Sequence, residues 1–253
     1  MIKVGEFVVS PTIFPDGTSQ VWKIPDLALL TSGPIIIQWD FENESELVHV
    51  AQLATLLDVK SRAAFIELYV PFLPYGRQDK SVDNESTFAL ETFARLMAAS
   101  GVDLIRTIDA HNPSFSFSPI GLLNESAEPY INRAIDQFGA NSVCFPDLGA
   151  SDRYANLCSG LGSIVLRKAR NQVSGEITGM EVCESGHEGG KILIVDDICD
   201  GGRTFIEAAK LLKETHNPEQ IGLYVTHGIF SRGTQPLRDA GIERLFTHKG
   251  EVL

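Results

Sequence analysis

The sequence predicts an α/β protein built from two tandem domains, each with a mostly parallel sheet flanked by helices. Three observations carry that prediction. Short apolar runs bounded by polar residues, such as PIIIQW (34–39) and ILIV (192–195), are too short for helices and read as buried strands of a parallel sheet. Between such runs lie segments with apolar residues at helical spacing, which gives the alternation of a βαβ chain. The alternation breaks at 124–128 and then restarts, dividing the chain into 1–125 and 126–253. A chain of 253 residues is long enough for one large or two ordinary α/β domains.

Taken in order, MIKVGEFVVS reads as a strand, Phe14-Pro15-Asp16-Gly17 as a turn, and a second strand ends near Trp22. The buried strand Pro34 to Trp39 follows. Asn43-Glu44-Ser45-Glu46 has capping-box spacing ahead of a helix that carries Leu47, Val50, Leu53, Leu56 and Leu57. AAFIELYVP is the next strand, followed by a polar loop from Tyr75 to Asn84, a helix to Ser100 stopped by Gly101, and the strand DLIRTID. After the break come a helix through Phe138, the strand NSVCF, a helix from about Ser151 and the strand GSIVLR. From Arg167 to Gly190 the chain has little periodicity and many glycines, as a hairpin or mobile loop would. The strand Ile192 to Val195 leads into an acidic, glycine-rich loop, and a helix runs from about Thr204 to Lys213. A strand from Gly222 to Thr226, a short helix from Gln235 to Ala240 and a strand from Arg244 to Thr247 complete the chain.

With 33 acidic and 21 basic residues the formal charge is -12, which argues against nucleic acid or an anionic membrane as the main partner. Any phosphate site must therefore rely on local positive charge. Cys144, Cys158, Cys183 and Cys199 show neither C-x-x-C spacing nor a dense pattern, as expected of reduced thiols in a cytoplasmic protein. No signal peptide opens the sequence, and no apolar run approaches the ~20 residues a membrane span needs.

The chemistry concentrates in KILIVDDICDGGRTF (191–205). At the carboxyl end of a strand in an open α/β sheet, a following helix offers backbone N–H groups to an anion, and glycines let the backbone come close. Gly201, Gly202 and the Thr204 hydroxyl suit a phosphate, whereas Asp196 and Asp197 would repel the same dianion and suit vicinal sugar hydroxyls instead. Strand, paired acids, glycine turn and helix together point to a ribose 5-phosphate group held at both ends. A solvated acidic turn is the plainer alternative.

This segment resembles the phosphoribosyl-diphosphate (PRPP) loop of phosphoribosyltransferases and PRPP synthetases, usually D-D-x-x-D-T-G-G-T after an apolar run. Here Gly201 stands where threonine is usual and Arg203 where the second glycine is usual. The resemblance implies that Asp196, Asp197, Asp200, Gly201, Gly202, Arg203 and Thr204 bind ribose 5-phosphate. The loop Val70 to Lys80 is similar to the Y-x-R-Q-D signature of PRPP synthetases, which implies ATP binding by Arg77, Gln78 and Asp79. His111, and Asp147 in Pro146-Asp147-Leu148-Gly149, resemble that family's metal motifs and imply Mg²⁺ on the ATP phosphates. Two ligands suffice, because Mg²⁺ keeps waters and takes phosphate oxygens. Lys168 and Arg170 match a K-x-R catalytic loop, and Phe14 and Asp16 match an F-x-D-G-E motif that meets the adenine of a neighbouring subunit, with Thr18 in place of the glutamate. THGIFS (226–231) matches another motif of the family.

The resemblance runs in the same order from about residue 14 to residue 231 and implies two tandem phosphoribosyltransferase-type domains, a homo-oligomer, dimer or higher, and a ribose-phosphate diphosphokinase. Family members usually continue with another strand and a helix where this sequence stops at Leu253, so packing or assembly is expected to differ. Two alternatives stay open: a PRPP-dependent phosphoribosyltransferase, and a non-catalytic regulatory paralogue. No G-x-x-x-x-G-K-[ST] loop is present, so ATP is not expected to be held as in P-loop enzymes.

Overall fold

The computed structural model describes residues 1–22, 34–61, 65–81, 85–116, 120–170, 177–186 and 189–252. The start of AAFIELYVP, the end of the polar loop at Asn84 and part of the stretch before Gly190 lie outside them. The chain divides into two compact units, Met1–Glu125 and Ser126–Leu253.

The first unit holds β1 (Ile2–Val4), β2 (Phe7–Val8), a small hairpin of β3 (Thr12–Ile13) and β4 (Ser19–Gln20), then β5 (Ile35–Trp39), α1 (Glu46–Ser61), β6 (Ile66–Tyr69), α2 (Ala89–Ala99), β7 (Leu104–Ile108) and β8 (Gly121–Glu125). The main sheet runs β2-β1-β5-β6-β7-β8, parallel from β5 to β8 and antiparallel at β1 and β2. MIKVGEFVVS, expected as one strand, is a hairpin. Gly5 takes φ +57, open to glycine at little cost, and brings Val4 opposite Phe7. In β5 the side chains alternate, so that Ile35, Ile37 and Trp39 enter the core while Ile36 and Gln38 face outward. The expected break at 124–128 contains the end of β8, whose mixed sequence GLLNE stands at a sheet edge and leaves Leu123 exposed.

The second unit holds α3 (Glu128–Phe138), β9 (Ser142–Phe145), α4 (Leu148–Tyr154), β10 (Gly162–Arg170), β11 (Ile177–Ser185), β12 (Lys191–Cys199), α5 (Arg203–His216), β13 (Gln220–Gly228), α6 (Gln235–Asp239), β14 (Ile242–Thr247) and β15 (Gly250–Glu251). Its sheet runs β11-β10-β9-β12-β13-β14-β15, with a parallel centre and antiparallel edge strands β11 and β15. The run ILIV of β12 is buried on both faces. Ile192 and Ile194 pack toward Phe205, Ala208 and Leu212 of α5, whereas Leu193 and Val195 pack toward Ile131 and Phe138 of α3 and Tyr154 of α4. Fully burying each such side chain contributes about 1.5–3 kcal/mol, which fixes β12 at the centre.

Two expectations need correction. Asp196 and Asp197 lie on β12 and not in a loop, because β13 pairs with it beyond the apolar run, Asp196 opposite Val225 and Cys199 opposite Gly228. The helix expected from about Ser151 starts at Leu148, where the Asp147 carboxylate accepts a hydrogen bond from the Ala150 N–H at 2.9 Å and caps it. Of the two readings of the stretch after Arg167, the hairpin agrees with the structure: β10 reaches Arg170 and pairs antiparallel with β11, through a register marked by bulges.

Candidate active site

The loops and strand ends of the second unit that carry the expected residues meet at the carboxyl edge of its parallel sheet. Asp147 follows β9, and Asp196 and Asp197 stand on the last part of the adjacent β12. Asp197 is buried, its side chain 8% exposed, and accepts from Arg153 Nη1 of α4 at 3.0 Å. Beside it, the Asp196 carboxylate accepts the Asp197 N–H at 2.9 Å. Burial, then the negative charges of Asp197 and Asp147, push the Asp196 carboxyl far above the ordinary aspartate range. That costly arrangement is relieved by a cation or by hydroxyl donors.

Beyond β12 the chain turns through Asp200, Gly201 and Gly202. Gly202 has φ +77 and caps α5, and a Cβ there would lie 3.0 Å from Leu237 Cδ2, so glycine serves both the left-handed turn and the close packing. The first N–H groups of α5 have no intrahelical partner and open toward this turn. Arg203 leaves it: its side chain is 87% exposed and pairs with Glu207 one helical turn on at 2.7 Å. Thr204 is half-buried in the first turn of α5.

Lys168 is exposed on β10, which runs on past its last pairing with β9, Val165 opposite Phe145. Its neighbour Arg167 pairs with Glu181 of β11. Arg170 closes β10 opposite Ile177, and its side chain lies outside the described residues.

In the first unit, Arg77 and Gln78 are exposed in the loop after β6. The loop is rigidly built. Tyr75 takes φ +62, its ring packs 5.8 Å from Phe93, and its hydroxyl donates to Glu44 Oε1 at 2.7 Å, while burial and then Glu44 raise its pKa to about 12. Asp79 accepts from Asn112 Nδ2 at 2.9 Å, tying this loop to the one after β7 that carries exposed His111. Strands β6 and β7 are parallel neighbours, so Arg77, Gln78, Asp79 and His111 lie at one edge of the sheet. Phe14 and Asp16 are apart from that edge, in the β3–β4 hairpin seated on α1 through Gln52, which bonds the Val21 N–H and the Ser19 carbonyl. There Asp16 accepts from both the Thr18 hydroxyl and the Thr18 N–H, at 2.7 and 2.9 Å, which holds its carboxyl below the usual range.

Arg153, Asn112 and the Tyr75–Glu44 pair were not singled out from sequence. Each acts through a partner at least 31 residues away, so no local spacing announces it. Among the described residues no cluster of three His, Cys, Asp or Glu side chains is arranged to hold a metal ion. The negative charges of Asp147 and Asp197 both act on Asp196 at this edge of the sheet. No described helix is long and apolar enough to cross a membrane.

Comparison with known proteins agrees with this architecture. Residues 160–252 match the phosphoribosyl transferase domain family. The ribose-phosphate pyrophosphokinase of Pyrococcus abyssi is 28% identical over 226 residues, covering 87% of this chain and 76% of that protein. That of Sulfurisphaera tokodaii is 26% identical over 256 residues, covering 98% of this chain and 86% of the relative. The crystal structure of phosphoribosylpyrophosphate synthetase from Mycobacterium smegmatis superposes with a TM-score of 0.77 at 21% identity, over 95% of this chain and 79% of that one, a likeness of fold. Motif order, fold and relatives converge on the ribose-phosphate pyrophosphokinase family, which this chain resembles.

Proposed function

We propose that the protein is a ribose-phosphate diphosphokinase, transferring the β,γ-diphosphoryl group of MgATP to O1 of ribose 5-phosphate to give PRPP and AMP. The observation that carries the reading is the edge of the second sheet, where the raised Asp196 carboxyl and the Arg153-bound Asp197 precede the glycine turn and the start of α5. The backbone of 200–204 takes the 5-phosphate, and Asp196 accepts from the ribose hydroxyls. Asp197, already paired, holds that edge in register.

Arg77 and Gln78 bind ATP, with Asp79 fixed by Asn112 as the loop's anchor. Phe14 and Asp16 are assigned to the adenine of a neighbouring copy, in a homo-oligomer. His111 and Asp147 are each assigned to Mg²⁺, which would neutralise phosphate charge during transfer. Lys168 and Arg170 stabilise charge on the transferring and leaving groups.

The test is incubation of the purified protein with MgATP and ribose 5-phosphate, following AMP and PRPP. Equal formation of the two supports the proposal. Release of diphosphate from PRPP and a base without ATP would identify a phosphoribosyltransferase instead, and no turnover with intact binding a regulatory paralogue.

A further inference from the structure

Arg232 packs over the glycine turn that precedes α5. A Cβ built on Gly201 would lie 3.6 Å from Arg232 Nε and 3.7 Å from its Cδ, so the arginine stem stands where a side chain on Gly201 would meet it. The segment that carries it is pinned there. The N–H groups of Ile229 and Phe230 donate to the Cys199 carbonyl at 2.8 and 3.1 Å, and the Gly233 N–H closes the turn on the Phe230 carbonyl at 2.7 Å. Phe230 takes φ +48, a left-handed conformation that a bulky residue keeps only when its surroundings enforce it, and its ring fills the space a Cβ on Gly228 would need. Residues 228–233 and the turn at 199–202 are thus one packed piece, with the arginine at its surface.

Charge decides what the arginine is for. Arg153 is committed to Asp197, and Arg203 is drawn out to Glu207. Arg232 is exposed and forms no ion pair among the described residues, although it stands beside a turn that carries Asp200 in a chain of net charge -12. A guanidinium is a planar fork suited to phosphate oxygens, and it gains most where other local charge is negative or already paired.

We infer that Arg232 is a specificity-determining residue that contacts the 5-phosphate of the sugar substrate across the Gly201 turn. Gly201 belongs to the same device, since a side chain longer than alanine at that position would press on the arginine stem. The inference rests on the assignment of the 200–204 turn to the sugar phosphate and adds a contact from a different segment. It explains how a phosphate dianion is held near several carboxylates when the arginine inside the turn points away.

The experiment titrates ribose 5-phosphate, and separately MgATP, into the full-length protein and its Arg232→Ala and Arg232→Lys variants by calorimetry, alongside PRPP formation. Loss of a charged hydrogen-bond partner predicts a rise of about ten- to a hundredfold in the ribose 5-phosphate dissociation constant for Arg232→Ala. MgATP affinity and kcat at saturating sugar phosphate should stay near wild type, and Arg232→Lys should recover part of the loss. If the wild type makes PRPP and Arg232→Ala binds ribose 5-phosphate as well as it does, the inference is overturned and the proposed reaction stands. If Arg232→Ala weakens MgATP equally, Arg232 is not specific to the sugar phosphate. Failure of the wild type to bind ribose 5-phosphate at all would overturn both.

Discussion

Arg153 Nη1 lies 3.0 Å from Asp197 Oδ2, with side chains 20% and 8% exposed, so one of the paired acids at the sheet edge is held by a cation from the helix that Asp147 caps. The two acids therefore do different work. Asp197 is an anchored anion, and Asp196 is the acid proposed to accept from the ribose hydroxyls.

Removing the cation should expose that difference. Arg153→Ala leaves a buried carboxylate without its counter-ion, and breaking a buried pair from one side costs about 3–5 kcal/mol. The midpoint of urea unfolding, followed at a probe in the second unit, should fall accordingly. Arg153→Ala combined with Asp197→Asn should recover most of the loss, because no buried charge is then left unpaired. A single variant as stable as wild type would show that solvent already screens the pair.

Asp196 makes stability depend on pH. Its folded-state pKa is raised by burial first and by Asp197 and Asp147 next, so from about pH 4 upward the native protein keeps a proton that the unfolded chain has lost. Since stability rises with pH only where the unfolded state binds more protons, this group makes stability fall as pH increases toward its raised pKa. Unfolding free energies measured without ligand should decline over that window. Asp196→Asn should flatten the decline, and an unchanged slope would assign it to other groups.

ILIV and the Gly201–Gly202 turn were legible because burial on both faces and a left-handed cap are written in adjacent residues. The extension of β12 through Asp196 and Asp197 was not, since pairing with Val225 and Gly228 outweighs the poor strand propensity of two aspartates, and that pairing is nonlocal. The Gly5 turn was missed for a different reason: one glycine within an alternating run also fits a continuous strand. No motif announced Arg153, which reaches Asp197 across 44 residues, so that only the fold brings them together.

His111 is exposed at the edge that also carries Arg77 and Gln78, so its side chain contributes little to the core. His111→Ala should leave the unfolding curve within about 0.5 kcal/mol of wild type, as surface substitutions usually do. If the imidazole holds the ion on ATP, the variant should need more Mg²⁺ for half-maximal activity and bind MgATP more weakly. Mg²⁺ titrations at fixed ATP check this, and an unaltered Mg²⁺ requirement would remove His111 from the metal site.

Lys168 stands on β10 beyond the point where β9 stops pairing with it, exposed and without an ion pair among the described residues. A cation placed so is not consumed by structure and is available to charge that develops on the diphosphoryl group. An interaction made only in the transition state lowers kcat and kcat/KM together and leaves ground-state binding nearly intact. Loss of one such electrostatic contact costs a factor of ~10² to 10³, or about 3–4 kcal/mol. Lys168→Ala is expected to lose turnover by about that factor, while dissociation constants for MgATP and ribose 5-phosphate change far less. Single-turnover rates beside binding titrations separate the two effects. A variant that loses ATP affinity but keeps its single-turnover rate would make Lys168 a binding residue, and the charge on the leaving group would then have to be met by Arg170 or by the metal.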